Sequence, residues 1–152
     1  MQKRSHRLLA RALLDNRKGF SARRYEAAFV FGSFQPDCNP FTYLKGSLRG
    51  HLLQGHHYAN CHPFRYRRIA RLQRREKWNL WHYYTLGKLT HYLADAFTYP
   101  HNDHYPESIT CHHDYERALR LYLAHRLPSS APWRVQPPKD LVEGLEELHR
   151  RY

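Results

Sequence analysis

The chain is organised around Thr90-His91-Tyr92-Leu93-Ala94-Asp95-Ala96-Phe97-Thr98-Tyr99-Pro100-His101. His91 and Asp95 stand at i, i+4, so a helix carries their imidazole and carboxylate on one face. Downstream, His112-His113-Asp114-Tyr115-Glu116 repeats the arrangement with His112 and Glu116. His101 lies between the two pairs, directly after Pro100. One such pair reads most simply as a surface ion pair, and 13 His among 152 residues produce some by chance. Two pairs close together, separated by a proline-anchored His, favour metal binding. Mixed His and carboxylate donors without paired cysteines suit zinc or a similar borderline ion in a hydrolytic site.

The surrounding periodicity predicts helices. Asn79 caps a helix over roughly residues 80–98, with Tyr84, Gly87/Lys88, His91 and Asp95 on one face and Leu86, Leu89 and Leu93 on another. The next helix spans 109–126 and turns His112, Glu116, Leu119 and Leu123 inward. Upstream, residues 5–15 form a short helix through His6, Leu9 and Leu13. A second helix runs from a Ser21 cap to about Phe34, with Tyr25, Ala28 and Phe29 inward. Residues 35–63 are expected to be an ordered loop layer, and loops of that length are often functional. Residues 64–77 read as a solvated basic helix carrying Arg65, Arg67, Arg68, Arg71, Arg74, Arg75 and Lys77 above a narrow stripe of Tyr66, Ile69 and Leu72. After a linker from Pro128 to Pro138, Leu141, Leu145 and Leu148 mark a last amphipathic helix, acids early and bases late as the helix dipole favours. No strand pattern is present. The expected fold is all-α: a single domain over residues 1–152, a bundle of five to six helices with a metal cluster in its core.

The net charge of +12 points to an anionic partner: nucleic acid, a phosphorylated small molecule or an anionic lipid surface. A solubilising role is the plainer alternative. Cys38, Cys61 and Cys111 are odd in number and far apart, which argues against a disulfide framework. Buried small residues are a simpler role for them than soft metal ligands. No apolar run approaches the ~20 residues of a membrane span. The basic N-terminus lacks the apolar stretch of a secretory signal, so a cytoplasmic location is expected.

Leu86-Gly87-Lys88-Leu89-Thr90-His91-Tyr92-Leu93-Ala94-Asp95, followed by Pro100-His101 and His112-xxx-Glu116, resembles the core motif of the zinc-dependent phospholipase C superfamily. That superfamily also includes trinuclear-zinc nucleases of single strands. Phe31-Gly32-Ser33-Phe34-Gln35-Pro36-Asp37 resembles its segment presenting an aspartate, Gly55-His56-His57-Tyr58 its next His, and Ser5-His6-Arg7-Leu8 its first-helix His. The resemblance runs from about residue 5 to residue 125 and is strongest over 86–116.

The resemblance implies two or three zinc ions. The first would take Asp37, His56, His91 and Asp95; the second His101, His112 and Glu116; the third His6, with Asp95 bridging. His57 or His51 can replace His56, and His113 is a weaker alternative to His112, because Arg117 rather than an acid stands four residues beyond it. Secreted members also ligate through their amino-terminal residue. Here Met1 lies five residues before His6, and a third site of His6, Asp95 and water is favoured. His82, His125 and His149 are taken as ordinary helix residues.

The implied activity is a phospholipase C-like phosphodiesterase: a metal-dependent phosphoric-ester hydrolase in which activated water attacks phosphorus in line and Asp37 orients or deprotonates that water. The substrate would be a phosphoester, either a phospholipid headgroup or an oligonucleotide. The alternatives are a nuclease-like diesterase on single strands and a non-catalytic metal-stabilised module that binds anions.

Overall fold

The computed structural model describes residues 1–17, 19–38, 58–102, 109–129, 136 and 138–152. Among them are six α-helices and no strand: α1 (Lys3–Asn16), α2 (Arg23–Phe34), α3 (Tyr58–Gln73), α4 (Leu80–Ala96), α5 (Ile109–Arg126) and α6 (Leu141–Arg151). Single 3-10 turns cover Gln35–Cys38, Tyr99–His101 and Leu127–Ser129. The all-α expectation is met. No helix among the described residues is long and apolar enough to cross a membrane.

Helix α4 is the central element, packed by α2 and by α3, while α1 touches α2 and α5. Its start follows from side-chain chemistry. Asn79 accepts hydrogen bonds from the Trp81 and His82 amides at 3.1 and 3.3 Å, and His82 Nδ1 accepts from the Asn79 amide at 3.0 Å. This reciprocal pair satisfies amides that the first turn cannot bond internally. The α2–α4 contact is made by glycine. A Cβ at Gly87 would run into the Phe29 carbonyl, and one at Gly32 into the Tyr84 carbonyl. The two backbones therefore approach to a distance that no larger residue permits.

On the other side of α4 lies an apolar cluster of Ile69, Leu72 and Leu89, joined by Tyr66, Trp78, Leu86, Leu93, Val142 and Leu145. The narrow stripe expected on the basic helix is thus its core face. Arg65 departs from that expectation: it is buried, at 2% exposure, rather than part of a solvated surface. In α6 the inward residues are Val142 and Leu145, whereas Leu141 and Leu148 stay exposed.

Three boundaries differ from expectation. Helix α3 starts at Tyr58, upstream of Pro63, and ends at Gln73. Pro63 removes one backbone donor, but its fixed φ is otherwise helical. The expected loop layer therefore shrinks to the turn Gln35–Cys38 and residues 39–57, which lie outside the described residues. Helix α2 is not capped by Ser21: its cap position is Ala22, which makes no side-chain cap bond. Gly19, with φ at 76°, turns the chain there, and Glu26 reaches back to accept from the Phe20 amide at 3.2 Å.

Gly87→Ala is expected to cost about 3 kcal/mol by backbone overlap. That would appear as a fall of roughly 6–12 °C in the thermal midpoint for a chain of this size. A variant melting with the parent would show that the α2–α4 contact is not tight.

Candidate metal centre

His91 and Asp95 leave α4 one turn apart, and both are fully buried. His91 Nδ1 lies 2.9 Å from the Ser33 carbonyl on α2. A carbonyl only accepts, so Nδ1 carries the proton and the Nε2 lone pair is left facing the site. Nε2 stands 3.2 Å from Asp95 Oδ2 and 3.6 Å from Asp37 Oδ1. Asp37 belongs to the 3-10 turn that follows α2 directly, so the helix that orients His91 also delivers this second carboxylate.

His6, on α1, completes the inner group. Its ring stacks on His91 with centroids 3.8 Å apart, and Nε2 lies 3.3 Å from Asp95 Oδ1 and 3.8 Å from Asp37 Oδ2. Burial pushes the His6 imidazole down to about 3, even with Asp95 beside it. Stacking of the two rings fits this neutral state of His6, because two cations in such contact would repel. His6, expected to serve a third ion with Asp95, stands in one candidate group with His91 and Asp95.

The outer group comes from the Tyr99–His101 turn and α5. His112 Nε2 lies 3.1 Å from Glu116 Oε1, which realises the second i, i+4 pair. His101 Nε2 lies 3.7 Å from Glu116 and 3.6 Å from Asp95 Oδ1, so Asp95 faces both groups. Burial lowers the His101 imidazole below its ordinary range. Burial alone would raise Glu116, but the neighbouring His101 and His112 imidazoles and the Met1 charge take it well below the usual carboxylate range.

Met1 is where the structure departs most from the sequence reading. Its amine is not apart from the site. It lies 2.6 Å from Asp95 Oδ1, 2.8 Å from His101 Nε2 and 3.0 Å from Glu116 Oε1. Burial opposes its charge, yet Asp95 and Glu116 outweigh burial and raise it above 8.0. Burial likewise disfavours the charged form of Asp95, but the Met1 ammonium, His101, His6 and His91 together hold it well below the usual range.

The donor set fits divalent zinc. His6, His91 and Asp95 form one cluster with ligand atoms all within 4.8 Å of one another, and His101, His112 and Glu116 form another. Two ligands at ~2.1 Å from a tetrahedral ion are ~3.4 Å apart. The His–carboxylate separations of 3.1–3.3 Å within these pairs lie close to that value. His6 Nε2 is buried and makes no hydrogen bond among the described residues, although it points among carboxylates. That is an expensive state for an imidazole unless another acceptor of its lone pair is provided.

His56 and its alternatives His51 and His57 lie outside the described residues. His113 is exposed, and His82 is absorbed in the α4 cap. Cys38 and Cys111 are exposed rather than buried. His149 is more than an ordinary helix residue. Its Nε2 lies 2.8 Å from Asn102 Oδ1, and the Asn102 amide donates to the Thr98 and Ala96 carbonyls at 2.9 and 3.3 Å. Helix α6 thereby braces the turn that presents His101. In the sequence the one hint was Leu145, a helical turn before His149 on the same face of the expected last helix.

A model of the zinc dependent phospholipase C family matches residues 5–152 of the chain. No curated protein and no solved structure matches it.

Two outcomes follow from this geometry. Asp95→Asn should cost about 3–5 kcal/mol by breaking a fully buried charge set. Glu116→Gln, nearer the rim, should cost about 1.5–3 kcal/mol. Zinc content by elemental analysis should fall in the same order; the reverse order would remove Asp95 from its central position. The metal-free chain should also be most stable between pH 6.5 and 8.0. His6 and His101 are depressed in the folded state, so their contribution is complete above 6.5 and is lost as pH falls below it. The Met1 amine is raised, so its contribution is complete below 8.0 and is lost as pH rises through its folded value. Melting curves in chelator that are flat across both limits would contradict these assignments.

Proposed function

The chain belongs to the zinc-dependent phospholipase C family, and we propose that it is a phosphodiesterase of the phospholipase C kind, working with two or three zinc ions. The single observation behind this reading is that two His–carboxylate groups converge on Asp95, which stands 3.2–3.6 Å from imidazoles of both. A purely structural ion needs one closed tetrahedral site, whereas adjoining sites are the arrangement used to clamp a phosphoryl group.

In this reading His6, His91, Asp95 and Asp37 hold one side of the centre, with His56 as a further ligand. His101, His112 and Glu116 hold the other, and the Met1 amine adds a nitrogen donor between them. Zinc-class ions there supply Lewis acidity to the phosphoryl oxygens and lower the pKa of water. The residues supply the rest. Ser33 keeps His91 in the tautomer whose Nε2 can donate its lone pair. Asp37 comes from a different element and stands farther from the imidazoles than Asp95, at 3.6 and 3.8 Å. It is the carboxylate suited to orient a water and take its proton as oxygen bonds to phosphorus. The ester P–O bond then breaks, and the leaving oxygen takes up the proton that Asp37 removed from water and departs as the alcohol. His112, exposed at 29%, lies on the open side, where a diester can enter.

The rival reading, a diesterase on single strands, rests on the net charge of +12. Charge alone does not separate nucleic acid from an anionic lipid.

The zinc-loaded chain should cleave a chromogenic phosphorylcholine ester. Asp37→Asn should lower kcat by about 10²–10⁴, the usual contribution of a positioned base, and leave the melting midpoint nearly unchanged. Near-parental turnover by this variant would take the proton-transfer role away from Asp37. Full zinc loading with no turnover of any phosphoester would favour a binding module instead.

A further inference from the structure

Away from the metal centre, α3 and α4 enclose a cavity of about 500 Å³. Arg68 and Arg71 reach it from α3, Arg75 from the link that follows α3, and Lys88 from α4, and its described lining contains no Asp or Glu. Burial, and then the charge of Arg68, lowers the Lys88 ammonium below its ordinary value. Like charges gathered this way cost free energy, which an entering anion relieves.

Beside the cavity stands an apolar wall. Trp81 is 71% exposed and Leu80 50% exposed in the first turn of α4, and Phe31 is 51% exposed on α2. Trp81 stacks on Tyr84 at 5.0 Å and 15°, and Tyr84 on Phe31 at 5.9 Å and 25°. Lys88 Nζ lies 5.6 Å from the Tyr84 ring, so wall and basic cavity adjoin. The Tyr84 hydroxyl donates to Gln35 Oε1 at 3.0 Å, which ties the wall to the turn carrying Asp37.

We propose that this face of α2, α3 and α4 docks the protein on an anionic lipid surface. Phe31, Leu80 and Trp81 enter the boundary between headgroups and acyl chains, and one anionic headgroup sits among Arg68, Arg71, Arg75 and Lys88. The proposal rests on the phospholipase C-like reading of the metal centre, because a substrate held in a bilayer has to be approached at its surface. Charge complementarity admits lipid or nucleic acid, and the wall decides between them. A strand needs open ring faces for its bases, but Tyr84 is already stacked against both Trp81 and Phe31. Leu80 offers a base nothing, whereas an aliphatic side chain next to an exposed Trp and basic flanks is suited to the lipid interface.

The test is flotation of the zinc-loaded full chain with vesicles of phosphatidylglycerol and phosphatidylcholine, against vesicles of phosphatidylcholine alone. Turnover is read separately on a soluble chromogenic diester. The chain should bind the anionic vesicles selectively, and less so as salt rises. Arg71→Glu/Arg75→Glu and Leu80→Ser/Trp81→Ala should each weaken binding by about tenfold or more. Both variants should keep the parental melting midpoint and turnover of the soluble diester. Vesicle binding that survives both double substitutions overturns the proposal. So does a preference for a single-stranded oligonucleotide that the same substitutions abolish. A chain that cleaves the soluble diester yet ignores anionic vesicles overturns the docking face alone. A chain that binds the vesicles through these residues but cleaves no diester supports the face and overturns the enzymatic reading.

Discussion

The backbone contact between α2 and α4 sets the rest of the molecule. Gly32 and Gly87 let the two helices approach without side chains between them. At that separation the Ser33 carbonyl reaches His91 Nδ1, which fixes both the ring's orientation and its tautomer. Because α2 runs straight into the Gln35–Cys38 turn, the same contact determines where Asp37 stands. It also brings Tyr84 within hydrogen-bond distance of Gln35. A wider spacing would lose the imidazole's partner and displace a carboxylate together.

Around this contact the charge is arranged in layers. Asp95 is buried completely, and Glu116 nearly so. Two carboxylates in such a place are tolerable only beside groups that return the lost hydration energy. The Met1 amine does so by direct contact with both. The imidazoles and the acids form two donor groups, His6, His91 and Asp95 and then His101, His112 and Glu116, each with its ligand atoms within 4.8 Å of one another. The basic residues instead gather on the outside, above all on α3 and the link after it, where Arg68, Arg71 and Arg75 line one cavity. Arg65 is the exception, drawn into the interior from the same helix.

The outer half of the centre has its own support. The Tyr99–His101 turn is short and cannot hold a ligand rigidly by itself. Thr98 caps the end of α4 with hydrogen bonds to the Ala94 and Asp95 carbonyls at 3.1 and 2.8 Å. Asn102 closes the other side of the turn and is gripped by His149 of α6. The last helix therefore serves the site although it contributes no ligand. Its Val142 and Leu145 pack on the apolar cluster of α3 and α4, which carries the brace.

What could be determined from the sequence was local. The i, i+4 pairs His91/Asp95 and His112/Glu116, the Asn79 cap and the limits of α5 are all consequences of neighbouring residues, and helical geometry converts them directly into positions. Pro100 likewise announced the turn that carries His101. Resemblance to a family supplied Asp37 and His6 as partners, which periodicity alone does not single out. Tertiary packing decided what remained: that His6 stacks on His91, that the Met1 amine lies among Asp95, His101 and Glu116, that His149 braces Asn102, and that Arg65 is buried. Each joins residues distant in the chain, and each depends on which helix faces meet and how closely. Side-chain period marks a face but does not say what it meets; that was decided by the space two glycines leave between α2 and α4.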